Sequence, residues 1–147
     1  MLKITGILLL MTVCAVFGFY KANKILYRQK RLYAIYTFTN EVTERIRIGE
    51  EMEKIIDTLG ASAGIYKNGY EICVLEEGLL PSDILLANEF ISGIGMGDTE
   101  YELKRCENYS HLFKKTLSTA EAENRVKASV YRKLGIFTGL LVGIVLI

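Results

Sequence analysis

The chain has 147 residues, half of them hydrophobic, with a net charge of +1 and a single histidine. That length makes one domain, and because both ends are apolar the water-soluble core is small. The three cysteines (Cys14, Cys73, Cys106) lack paired spacing, which argues against a disulfide framework.

The near-neutral total hides a segregation. Residues 1–31 carry six basic side chains and no acid; residues 125–133 add four more basic ones and no acid. The other eight basic residues and all 17 acidic ones lie between Glu41 and Glu123, a net charge of −9. Basic charge thus flanks the apolar ends, where anionic headgroups would lie. A nucleic-acid binder would show the reverse, a basic patch on the folded part.

In chain order, Ile4–Tyr20 is 17 residues without a charge. No convincing cleavage site follows, and Val13 is bulky for the position before a lipid-modified Cys14, so an uncleaved membrane helix is expected. Cys14, Gly18 and Ala22 recur every fourth residue and give it a small-residue face. Lys21, Lys24, Arg28, Lys30 and Arg31 follow at once, which by the positive-inside rule puts this side in the cytoplasm.

From Lys21 to Ile48 there is no Gly or Pro. Leu32, Ile35, Thr39, Val42 and Ile46 form a 3-4 spaced seam, widened by Tyr27, Tyr33 and Tyr36, and Gly49 ends the helix. Glu50–Leu59 reads as a short amphipathic helix with Met52, Ile55, Ile56 and Leu59 on one face. In Gly60–Gly78 the apolar run Tyr70–Leu75 fits either a strand or one buried helical turn. Leu80-Pro-Ser-Asp83 starts a helix carrying Ile84, Leu85, Leu86, Phe90 and Ile91.

Gly93-x-Gly95-x-Gly97 invites a phosphate-loop reading. Asp98 and Glu100 would oppose the phosphate, no Lys-Ser/Thr follows and no strand precedes, so a plain turn is expected. His111, the single histidine, has no companions for a triad or a zinc site. The residues therefore point to no catalytic group, metal or cofactor.

Thr99-Glu-Tyr-Glu102 reads as a capping box. With no Gly or Pro before Gly135, one helix leads from it into the terminal segment, along a seam of Leu103, Cys106, Tyr109, Phe113, Leu117 and Ala120. After Arg132 and Lys133 no charge follows. Gly135, Gly139 and Gly143 make a bare stripe where another helix could approach closely. Leu134–Ile147 spans about 21 Å as a helix, against a hydrocarbon core of roughly 30 Å; Val130 and Tyr131, with snorkelling Arg132 and Lys133, bring it near the lower limit of a span.

The reading is an all-α, membrane-anchored helical bundle with long antiparallel helices and hydrophobic segments at both ends. Residues 1–20 form a transmembrane helix, 21–133 a cytoplasmic bundle, and 134–147 a second membrane segment. Gly135, Gly139 and Gly143 are expected to pack on Cys14, Gly18 and Ala22 or on another membrane subunit. Lys21, Lys24, Arg28, Arg132 and Lys133 flank the bilayer. A second copy of the chain remains an open partner, and nucleic acid is not expected.

The order of an N-terminal apolar segment, Ile46-Arg-Ile-Gly49, Ile84-Leu-Leu…Phe90…Gly95…Asp98…Glu102 and Tyr131-Arg-Lys-Leu-Gly-Ile-Phe-x-Gly-Leu-Leu-Val-x-Ile resembles the stage III sporulation protein AB family. The middle departs, with Glu50-Glu51 where the family tends to have a Thr-Pro-Leu type turn. The resemblance implies a mother-cell membrane protein of endospore-forming bacteria, facing the forespore. It also implies a fold similar to the cytoplasmic domain of type II secretion platform proteins. The expected role is a non-catalytic platform joining the sporulation AA secretion-type ATPase to other membrane subunits of the channel complex. A generic membrane-anchored coiled-coil scaffold of envelope assembly and a membrane-bound ligand sensor are the alternatives.

Overall fold

The structure, a computed structural model, describes residues 2–68 and 71–146. Its elements in chain order are α1 (Leu2–Arg47), α2 (Met52–Ala63), β1 (Ile65–Asn68), β2 (Glu71–Val74), α3 (Pro81–Ser92), α4 (Thr99–Glu123) and α5 (Ser129–Leu146). A π-helical turn, Asn124–Ala128, joins α4 to α5. The fold is helical, as read from the sequence, with one two-stranded hairpin added. Two units are distinct: residues 1–27 with 120–147 (unit 1), and residues 28–119 (unit 2).

In unit 2, α1 and α4 run antiparallel: Ser110 Oγ donates to Asn40 Oδ1 at 2.6 Å and Arg47 Nη2 meets Glu107 Oε1 at 2.9 Å. Leu32, Ile35, Thr39, Val42 and Ile46 are all buried, and Gly49 takes φ +80° to end α1. Tyr27 and Tyr33 do not widen that seam and are exposed. Phe38, three residues after Ile35 and four before Val42, takes the buried place because it falls on the helix line that they define. On α3, Leu85 likewise faces solvent, while Phe90 and Ile91 are buried.

Phe90 is the centre of this core. Phe38 and Phe113 meet it edge-on with ring centroids 6.5 and 5.9 Å away, and Tyr109 tilts against it at 5.3 Å. Ile55 and Ile56 bring α2 onto the same core, with Met52 and Leu59 half-buried beside them.

The glycine-rich stretch forms an antiparallel hairpin pairing Ile65 with Val74 and Asn68 with Glu71. The Tyr70–Leu75 run is thus a strand over Glu71–Val74; Tyr70 itself lies outside the described residues. Gly60 lets the hairpin close on α2, since a Cβ there would lie 2.8 Å from the Ile65 carbonyl oxygen.

Three charged side chains fix the connections. Arg31 is buried and donates from Nη1 to the Ala63 carbonyl (3.0 Å) and from Nη2 to the Leu75 carbonyl (2.9 Å), closing the end of α2 and the exit of β2. Gly64, at φ +68°, leaves room for that guanidinium, which a Cβ would strike at 2.4 Å. Arg105 repeats the device on α3. It donates to the carbonyls of Glu89 (3.0 Å) and Phe90, lies over the Phe90 and Tyr109 rings, and occupies the space beside Gly93.

Asp83 is the third, at 1% exposure. Its Oδ2 accepts the Leu80 N–H at 3.0 Å, capping the α3 start that Pro81 opens. Arg28 grips the same carboxylate with two bonds, Nε to Oδ2 at 2.8 Å and Nη2 to Oδ1 at 3.1 Å. At α4 the cap is Asp98 rather than Thr99. Asp98 Oδ1 accepts the Tyr101 N–H at 2.8 Å, so Thr99 is already the first helical residue.

Asp83→Ala should lower stability by about 3 kcal/mol, because it removes a helix cap and half of a buried ion pair together. Asp98→Ala, the loss of one exposed cap, should cost about 1 kcal/mol. Thermal unfolding of the full-length chain in detergent, followed by circular dichroism, reads both; equal losses would contradict the assigned role of Asp83.

Candidate functional site

Unit 1 is an antiparallel pair of helices packed on small residues. On α1, Gly18 and Ala22 are buried and Cys14 is half-buried; on α5, Gly135, Gly139 and Gly143 are buried. The approach is closest at the end nearest Lys21 and Arg132. A Cβ on Gly18 would lie 2.6 Å from the Tyr131 carbonyl oxygen and 2.9 Å from Gly135 Cα. One on Gly135 would lie 2.9 Å from the Cys14 carbonyl oxygen and 3.0 Å from Gly18 Cα. At Gly139 the nearest atom is the Met11 carbonyl oxygen, 3.1 Å away, and at Gly143 it is the Met11 sulfur, 2.9 Å away. The two four-residue small stripes are therefore brought together, Gly18 and Cys14 against Gly135 and Gly139. The sequence reading missed Met11, whose unbranched chain fills the space where the glycine stripe outruns its partner.

The large side chains point the other way. Leu9, Val13, Val16, Phe17 and Tyr20 on α1, and Leu134, Phe137, Leu141, Ile144 and Val145 on α5, are each more than half exposed. Small residues inside and large apolar ones outside invert the soluble arrangement seen in unit 2. Such an apolar surface in water would be a large liability; in hydrocarbon it is solvated.

The π turn contributes to this pairing. Ala120 and Ala128 are both buried, yet eight residues carry an α-helix about 80° beyond two full turns. The extra residue held in a π turn brings Ala128 back onto the buried line, and the glycine stripe continues from it. The absence of Gly and Pro predicts one regular helix through this region; the eight-residue step between small residues is the signal that the register shifts.

Among the flanking basic residues, Lys21, Lys24, Arg132 and Lys133 are exposed, and the Lys21 amine lies 5.6 Å from the Phe17 ring centroid. Arg28, grouped with them by sequence, is held in unit 2 by Asp83. The remaining candidate features have plain structural roles. Gly97 donates its N–H to Glu102 Oε1 at 3.1 Å, so a carboxylate takes a position that a phosphate loop would keep for its ligand. Gly95 serves the turn with φ +80°, and His111 is exposed. Among the described residues no cluster of His, Cys, Asp or Glu is arranged to hold a metal ion. Cys14, Cys73 and Cys106 are free thiols.

Fold and site together define a helical protein with two helices long and apolar enough to cross a membrane. A sequence profile of the stage III sporulation protein AB family matches residues 63–147, more than half of the chain, and the chain belongs to that family. No curated protein and no solved structure matches it significantly.

The glycine contacts predict a graded response. Gly18→Ala and Gly135→Ala press a methyl group against backbone and should destabilise the helix pair by about 1–3 kcal/mol. Gly143→Ala meets only the mobile end of Met11 and gains helix propensity, so it should be neutral or better. Unfolding of the full chain in detergent separates the three. Independently, a Cβ at residue 139 lies 3.6 Å from Cys14 Cβ, within disulfide range. Gly139→Cys in a Cys73→Ala background should form an intramolecular disulfide on mild oxidation; failure to cross-link would contradict the pairing.

Proposed function

We propose that the chain is a non-catalytic membrane scaffold of a sporulation assembly, linking a cytoplasmic ATPase to membrane components. It sits in the mother-cell membrane, with residues 1–20 and 134–147 in the bilayer and residues 21–133 in the cytoplasm. The observation that carries the reading is the inverted packing of unit 1, small residues inside and large apolar ones outside. Family membership supports the sporulation role, and the basic residues beside both apolar segments support the orientation.

Coupling rests on the family resemblance and on the helices themselves. α1 runs unbroken for 46 residues from the apolar end into the soluble core, and α4, the π turn and α5 follow one another without a loop. Force applied to unit 2 thus has a covalent helical route toward the membrane segments. The partner on the cytoplasmic side is the sporulation AA secretion-type ATPase, and the other channel subunits meet the chain in the membrane. Purification of the full-length chain from sporulating cells should bring this ATPase with it. Recovery of the chain with membrane subunits but without the ATPase would overturn the coupling role.

Orientation is read by thiol chemistry. A membrane-impermeant reagent should leave Cys73 unlabelled in intact cells and label it in inverted vesicles; labelling from outside the cell would reverse the topology. Cys106 should stay silent even in inverted vesicles at pH 8. It is fully buried, and burial together with the Glu102 charge pushes its thiol up to about 11. Since the thiolate is the reactive form, reactivity should appear only as pH rises toward that value or on unfolding. The linked stability runs in the same sense. The unfolded thiol ionises first, so the folded state should lose stability as pH rises from 9 to about 11, and Cys106→Ala should remove that contribution.

A further inference from the structure

We propose that unit 1 holds a binding site for the phosphate of an anionic lipid headgroup, in the recess beside the π turn. The recess has a volume of about 440 Å³ and is lined by Leu26 of α1 and by Asn124, Arg125, Ser129, Arg132 and Lys133, with the buried Ala128 at its floor. Arg125, Ser129 and Arg132 follow at steps of four and three residues, which places them on one flank of the helix. Arg125, Arg132 and Lys133 make no ion pair among the described residues. No acid lines the recess, and the neighbouring Glu123 carboxylate is engaged by Lys127 at 2.9 Å. Three basic residues and a serine line a space bordered by no acid, which is the composition of a phosphate site.

Position selects the lipid over a free phosphate. Lys133 directly precedes the apolar run that starts at Leu134, and Arg125 lies nine residues earlier, about 13 Å along the helix. Leu26 is six residues past Tyr20, about 9 Å beyond the uncharged stretch of α1. The recess therefore begins at the hydrocarbon edge and extends through the headgroup layer. Leu134 and Phe137, 54% and 62% exposed, continue from it along α5 as an apolar wall for acyl chains, a contact inorganic phosphate cannot use. The extra residue of the π turn widens the helix between Asn124 and Ala128, where this recess opens.

The inference rests on the proposed membrane placement, which extraction of cell membranes with alkaline carbonate tests by itself. The site is tested by native mass spectrometry of the full-length chain released from non-ionic detergent. The probes are phosphatidylglycerol and phosphatidylcholine of matched acyl chains in equal amounts. Phosphatidylglycerol adducts should dominate, and Arg125→Gln and Arg132→Gln should each weaken its retention about fivefold. Both side chains are exposed, so the variants should keep the wild-type helix content, and Lys114→Gln, an exposed lysine outside the recess, should retain lipid like wild type. Equal adducts of the two lipids, or an unchanged preference in both arginine variants, would overturn the site. Displacement of phosphatidylglycerol by millimolar inorganic phosphate would overturn the lipid assignment and leave a free-phosphate site.

Discussion

A helix that passes from hydrocarbon into water must exchange its packing rule without interrupting its backbone. In the proposed membrane placement, α1 does this within 46 residues. In unit 1 its packed line is the half-buried Cys14 with the buried Gly18 and Ala22, and its large side chains face out; in unit 2 its buried line is Leu32, Ile35, Phe38, Val42 and Ile46. The physical reason is the change of solvent. In water, removing large apolar side chains from contact with solvent drives association. In lipid that drive vanishes, and what remains is the dispersion gained when two backbones approach closely, which requires that nothing larger than a methyl group stand between them.

The returning helix faces the same demand and meets it with a discontinuity of register rather than a break. From Cys106 through Phe113 and Leu117 to Ala120 the buried residues follow ordinary α-helical steps. Ala128 would leave that line by most of a right angle, and the π turn restores it. Three residues of the same turn, Asn124, Arg125 and Ala128, line the cationic recess, so the packing and the proposed lipid contact share one stretch of backbone.

Unit 2 holds its short elements by a different means. Its loops end helices whose last carbonyls lack partners, and two arginines supply them: Arg31 for α2 and Arg105 for α3, each set against a glycine. Because these guanidiniums are largely removed from water, their bonds to carbonyl oxygens are needed as much by the arginine as by the helix end. Asp83 adds the converse pairing, a carboxylate at a helix start that also binds Arg28. The aromatic cluster around Phe90 then packs on elements whose ends are already tied.

Much of this was legible in the sequence. The uncharged stretch after Lys3, the charge segregation and the four-residue spacings of Gly135, Gly139 and Gly143 prescribe two apolar helices with small faces. The seam from Leu32 to Ile46 and the Leu80–Asp83 start are local patterns, set by helical period and capping chemistry, and they stand as read. The resemblance carried by the Tyr131–Ile147 run agrees with the family match. Only the tertiary structure decided what depends on residues distant in the chain. The run before Leu75 became a strand because Ile65–Asn68 lay alongside to pair with it, and a short apolar run does not encode its partner. Arg28 and Arg31 looked like headgroup ligands with Lys21 and Lys24, since sequence shows charge but not the carboxylate of Asp83 or the carbonyls of Ala63 and Leu75 waiting for them. Likewise the grouping of Arg125, Arg132 and Lys133 with Leu26 around one recess exists only once two helices lie side by side, because a recess is a property of the space between helices and not of either one.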